Sequence, residues 1–210
     1  MLENFLAKLK LILLDSDLRN RILFVLGILI LFRLGNSIPI PGVNTLELTK
    51  FLQGKEFFGL LNIFSGGGLS NLSIFMLCVG PYITASIIMQ LLTMIFPKLK
   101  QIYQEEGEAG RKRFAQYSRI LSVPLAFLQG FGLLSLLRKQ GVVGVDLPFA
   151  MLMVNILVVT AGATLVMWFG ELINEYGIGN GSSIIIFAGI VAQIPTGLAR
   201  VVTNFGVADI

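Results

Sequence analysis

The groups able to move a proton, attack a carbonyl or hold a metal are few in this chain, and they are poorly placed for chemistry. Cys78 is the one thiol and histidine is absent, so no zinc, haem or copper constellation can be built and no intrachain disulfide can close. The long apolar runs hold no carboxylate, and no nucleophile stands beside a base, which argues against covalent and acid–base catalysis. The chain is expected to be neither an enzyme nor a cofactor carrier. Its spacing offers something else: isoleucines four apart at Ile83 and Ile87, and again at Ile186 and Ile190. On a helix each pair lies one residue above the other. Taken alone, such pairs are core or lipid contacts.

The elements that carry these residues are membrane elements. Hydrophobic residues make up 55% of the 210 and charged residues 13%, against about 25% charge in a soluble domain. Mean hydropathy is +0.82. Closed barrels alternate apolar and polar residues in segments of about ten, whereas the apolar runs here are continuous. The spans are therefore predicted to be helices. Ile83 and Ile87 fall in Leu72 to Phe96, 25 residues without a charge, enough to cross a hydrocarbon core of about 30 Å. A lipid-facing helix has no use for Gly80-Pro81, which leaves backbone groups unpaired, nor for the hydroxyls of Ser73, Thr84, Ser86 and Thr93. This span is expected to face something other than lipid. Before it stand Gly66, Gly67 and Gly68, a hinge or sharp turn. Before those, Phe57 to Phe64 is apolar but too short to span, which suits a re-entrant or capping segment. The plain alternative for 57–71 is a loop helix resting on the bundle.

In chain order, residues 1–21 read as an amphipathic helix at the membrane surface, with Leu2, Phe5, Leu6, Leu9, Ile12 and Leu13 at helical spacing and no cleavage site following. Five spans follow at about 22–40, 72–96, 118–137, 147–170 and 182–200. Arg33 interrupts the first; it must pair with carbonyls, face the bundle or snorkel, and its nearness to Pro39 favours the interface. Lys98 to Arg113 reads as a solvated loop, and Ala161, Gly162 and Ala163 permit close helix approach in the fourth span. Gly177-Ile178-Gly179-Asn180-Gly181 is a poor phosphate cradle, since no Lys or Arg lies between Glu171 and Ala199. Lys and Arg number 10 on the face holding the N-terminus and the 98–119 loop, and 5 on the other. The positive-inside rule puts the N-terminus in the cytoplasm. The net charge of +4 is thus explained by topology, not by nucleic acid.

Three stretches carry a resemblance. Ser73 to Leu92, with Gly80-Pro81-Tyr82, Ala85-Ser86 and Gln90-Leu91-Leu92, resembles the second transmembrane helix of the SecY protein-conducting channel family. Arg33, Gly35, Ile38, Pro39, Pro41 and Gly42 resemble the end of its first helix, and 177–181 the turn between its fourth and fifth. Cys78 departs from the pattern, standing where that family usually carries glycine.

The resemblance implies an all-α integral membrane protein whose five transmembrane helices form one half of a pseudo-two-fold channel, with a short re-entrant plug at about 57–71. It implies that Ile83, Ile87, Ile186 and Ile190 line the pore constriction, where a small apolar ring gates by dewetting. Asn62, Ile63, Phe64, Ser65, Gly66, Gly67, Gly68 and Leu69 would be plug and hinge, and Gln90 and Thr93 would belong to the lateral gate. Implied partners are SecE and SecG, SecA or the ribosome, signal peptides and nascent chains, the C-terminal half of the same channel, and the lipid of a bacterial-type inner membrane. The family's channel has ten helices, so a fragment is expected rather than a natural half-channel. The competing reading is a half-repeat of a small-solute transporter, but ion-coupled transporters place ionisable groups at mid-membrane and spans two to five have none there.

Overall fold

The computed structural model describes residues 15–42, 45–52, 56–143 and 148–195. The expected surface helix falls outside them up to residue 14, as does the fifth span beyond residue 195. Eight helices are described: α1 (Ser16–Asn36), α2 (Thr45–Leu52), α3 (Glu56–Phe64), α4 (Gly80–Ile95), α5 (Pro97–Gln104), α6 (Gly107–Lys139), α7 (Phe149–Tyr176) and α8 (Gly181–Val191). Among the described residues there is no strand, and an isolated antiparallel bridge joins Pro39 to Ser73.

By length and composition α6 and α7 are each able to cross a membrane, and α4 with α5 would add a third span if taken together. The chain turns by 114° between those two. Pro97 sets the turn, because it opens α5 at a position where its missing N–H costs nothing. At 33 residues, α6 is about 50 Å long at 1.5 Å per residue, longer than a bilayer core is thick. Its first turns are the stretch read from sequence as a solvated loop. That expectation is corrected: α5 and the start of α6 are helical, with Tyr103 and Phe114 in ring contact at 4.7 Å and Gly110 set against the carbonyl of Ile102. Charge and exposure do not oppose a helix when the residues are Glu, Arg, Lys, Gln and Ala, all good helix formers.

The buried face of α6 is a ladder of Phe114, Ser118, Ser122, Ala126, Gly130 and Leu134 in steps of four. Small residues there let α7 approach closely. Gly130 lies against Ile156 and Val159, Ser122 Oγ is 3.2 Å from Met167 Sδ, and Arg119 pairs with Glu171. Within the Ala161 to Ala163 run, Gly162 and Ala163 are buried while Ala161 is exposed. Gly162 has no room for a Cβ, because the carbonyl of Ile74 occupies the place.

That carbonyl belongs to the largest departure from the expected spans. Leu72 to Val79 is not helical but a series of turns, and α4 starts only at Gly80. Pro81 in the first turn of α4 cannot bond back and would strike a preceding carbonyl, so a helix cannot run through unbroken. Leu72 and Cys78 adopt left-handed φ of 42° and 48°, which also end helical geometry. The segment is pinned to the end of α1 by Ile40 N–H to the Leu72 carbonyl at 2.9 Å and Ile74 N–H to the Ile38 carbonyl at 3.0 Å. Leu72, Ser73, Phe75, Met76, Cys78 and Val79 are all buried. They link two apolar clusters, one with Leu134, Ile156 and Val159, the other with Phe32, Val166 and Ile185.

Candidate functional site

The site is built around the end of α3. Its last-turn carbonyls lack helical partners, as at every helix terminus. Part of the need is met locally: Gly67 N–H reaches the Asn62 carbonyl at 2.9 Å and Gly66 N–H the Ile63 carbonyl at 3.1 Å. This is the paired pattern of a Schellman stop, which calls for a left-handed residue just past the helix. Gly66 supplies it at φ 65°, followed by Gly67 at 88°. The glycine triplet, read as a hinge or sharp turn, forms a hydrogen-bonded turn. Gly68 is needed for another reason: a Cβ there would meet Asn36 Oδ1 at 2.6 Å.

Side chains from distant elements add further donors, at the Gly66 carbonyl and at those of Asn62 and Ser65, which already accept from Gly67 and Gly68 N–H. Asn36 Nδ2 donates to the Ser65 carbonyl at 2.8 Å and to that of Gly66 at 3.2 Å, while Arg33 Nη1 donates to the Gly66 carbonyl at 2.8 Å. Arg33 thus pairs with a carbonyl, one of the options left open, rather than only snorkelling. Gln193, just past α8, donates from Nε2 to the Asn62 carbonyl at 2.7 Å. Asn36 is itself oriented by Ser73, whose hydroxyl donates to its Oδ1 at 3.1 Å. A cation at a helix C-terminus also opposes the negative end of the helix dipole. Beneath the turn, Gly66 and Gly189 are in backbone contact, and a Cβ on either would fall 3.0 to 3.1 Å from the other's Cα.

Beside this turn lies a cavity of about 670 Å³. Phe64, Ser65 and Leu69 line it from the α3 end, Ile83 and Thr84 from α4, Gln129 and Leu133 from α6, and Ile186 from α8. Two of the four isoleucines thus share one cavity with three of the eight expected plug residues. Ile87 and Ile190 are not on its wall. Ile83 and Ile87 are 37% and 51% exposed. Ile186 and Ile190 are half-buried. Asn62 and Gly67 are partly buried, Gly66, Gly68 and Ser65 buried, and Ile63 and Phe64 exposed.

Gln90 is exposed on α4, and the Thr93 hydroxyl bonds back to its carbonyl at 2.6 Å. Thr84 likewise bonds back to Gly80 at 3.0 Å, so two of the hydroxyls noted on this span satisfy their own helix. The 177–181 turn joins α7 to α8: Asn180 caps α8 through Ser183 N–H at 3.2 Å, Asn174 Oδ1 accepts from Gly181 N–H at 2.7 Å, and Gly181 lies flush against the backbone of Gly170. Asn36, Gln193 and Gln129 escaped the sequence reading. A polar residue inside or next to an apolar run was the available signal, and Asn36 carried it.

Long apolar helices, packed through small residues around a buried turn and an apolar cavity, define a multi-pass α-helical membrane protein. The family model for SecY matches residues 73–209. The chain is 43% identical over 208 residues to the protein translocase subunit SecY of Mycobacterium tuberculosis, covering 93% of this chain and 46% of that protein. For the subunit of the same name from Corynebacterium glutamicum the identity is 42% over 204 residues, covering 91% and 46%. For that from Borreliella burgdorferi it is 45% over 188, covering 87% and 42%. The chain belongs to the SecY family. It spans about half the length of the curated relatives it matches.

Proposed function

We propose that this chain is the first half of the central subunit of a Sec protein-conducting channel. In the assembled channel, unfolded secretory polypeptides cross through an apolar constriction and nascent membrane helices leave sideways into lipid. The observation that carries the reading is the shared cavity: Ile83 and Ile186, 103 residues apart in the sequence, stand on one wall-set with Phe64, Ser65 and Leu69. A deformable apolar ring above a short capping segment can hold back ions yet pass a peptide without binding it strongly. Ile87 and Ile190, one helical turn further on, extend the ring once the second half is in place. Gln90 and Thr93 lie toward the lateral exit.

Five transmembrane helices, with the N-terminus in the cytoplasm of a bacterial-type inner membrane, fit the 10 to 5 distribution of Lys and Arg. Impermeant thiol labelling of single cysteines in intact cells checks that orientation: the 98–119 loop should stay unlabelled. SecE and SecG are the expected membrane partners and SecA or the ribosome the driving partner.

The deciding experiment removes Asn62 to Asn71 from the full-length channel and measures ion conductance at rest in reconstituted membranes. The deletion should leak, and a translocating chain stalled midway should crosslink to probes at Ile83, Ile87, Ile186 and Ile190. Unchanged resting conductance would remove the plug, and crosslinks only to lipid-facing neighbours would remove the constriction.

A further inference from the structure

The turn after α3 is held from two directions by side chains that donate to its carbonyls. Arg33 and Asn36 come from the end of α1 and Gln193 from the end of α8. Asn36 is 2% exposed and Ser65 3%, so the bonds between them are made out of water and have no ready solvent replacement while the turn is seated. We propose that Arg33, Asn36 and Gln193 are positioning residues that form a latch on the plug, fixing its resting state by capping the C-terminus of α3. The proposal rests on the plug reading given above.

The chemistry of the latch favours release as much as holding. Every acceptor is a main-chain carbonyl, so the latch makes no demand on plug side chains other than smallness at Gly66 and Gly68 and left-handed backbone at Gly66 and Gly67. Its donors come from the end of α1 and from just past α8, and the turn sits against α8 at the contact between Gly66 and Gly189. Moving α1 away from α8 would draw at least one set of donors off the turn. The freed carbonyls then meet water, so opening exchanges hydrogen bonds rather than losing them. Ser73 extends the same arrangement, because its hydroxyl holds Asn36 by Oδ1 and leaves Nδ2 aimed at the turn.

Isosteric variants test this without cavities. Asn36→Asp and Gln193→Glu keep size and shape but replace the donor with an oxygen that faces a carbonyl. In the full-length channel, each is expected to raise resting ion conductance roughly five- to tenfold, and the pair together to raise it further. Arg33→Met should leak more than Arg33→Lys, which retains charge and a donor. Export of a reporter with an intact signal sequence should persist in all of them, showing that the channels assembled. Tight isosteric variants beside a leaking deletion of 62–71 would overturn the latch and leave the plug standing. A deletion that does not leak would overturn both. If the acidic variants fail to accumulate, a thiol crosslink between cysteines introduced at Asn62 and Gln193, with Cys78→Ser, decides instead. The locked channel should stop passing the reporter until reduced, and unimpeded passage would overturn the latch.

Discussion

The contact between α6 and α7 and the seat of the turn after α3 are both close backbone approaches, yet they are made in opposite ways. Between α6 and α7 a ladder of small residues in steps of four lets apolar surfaces meet along several turns, and the buried turn of 72–79 fills the space beside them. Packing of this kind is cooperative: every contact depends on its neighbours, and none can be surrendered to water cheaply. At the α3 turn the bonding is polar and local, from Arg33, Asn36 and Gln193 to three carbonyls. Such bonds can be exchanged one by one. The first arrangement suits a frame and the second a part that leaves its seat.

The comparison breaks most sharply at Gly162. Its missing Cβ is occupied by the carbonyl of Ile74, with the Phe75 ring 3.2 Å away, and neither can retreat because both lie inside the core. Gly162→Val is expected to cost at least about 3 kcal/mol, visible as loss of folded full-length protein in a thermal melt in detergent. A variant that melts like its parent would mean that 72–79 yields easily, and the contrast between frame and movable part would fail.

A smaller effect is expected at Gly66. Alanine there must hold φ near 65°, which costs about 1–2 kcal/mol, and its Cβ would stand 3.0 Å from the Gly189 Cα. Gly66→Ala should therefore unseat the turn more than it unfolds the protein. The expected result is faster proteolysis or thiol labelling near Ser70 with the melting temperature nearly unchanged. A melt shifted as far as that of Gly162→Val would place the turn within the frame.

Much of this arrangement was legible because it depends on composition over long windows. The runs that became α6 and α7 are apolar for long enough that no other assignment competes. Pro81 carried a signal for a break, since proline forbids a continuous ladder whatever surrounds it, yet 72–96 was read as one span. The state of 72–79 was not visible: Leu72 to Val79 is apolar because it is buried, and burial makes a turn and a helix look alike in sequence. Charge misled at 98–113, where solvation was taken for irregularity. Asn36 and Gln193 were hidden for a different reason. Their roles exist only through carbonyls 29 and 131 residues away, and a carbonyl has no sequence signature. Ile83 and Ile186 were legible as spaced pairs, and their common cavity needed the fold.

The smallest effect sharpens the comparison from inside the frame. Cys78 is 4% exposed and holds φ 48°, a left-handed geometry that costs a residue with a Cβ about 1–2 kcal/mol. Glycine is free of that cost but gives up the buried CH2–SH group, worth about 1 kcal/mol on transfer. The two nearly cancel, so Cys78→Gly should stay within about 1 kcal/mol of the parent in a thermal melt. Cys78→Val separates them. It fills the same apolar site, yet a β-branched side chain at this φ is a genuine outlier, and a loss of about 2 kcal/mol or more is expected. If valine proves as stable as glycine, the backbone at 78 is not held left-handed and the site is governed by packing alone. If glycine is well tolerated and valine is not, the backbone governs, and the left-handed geometry of the turn that leads into α4 sets what the site accepts.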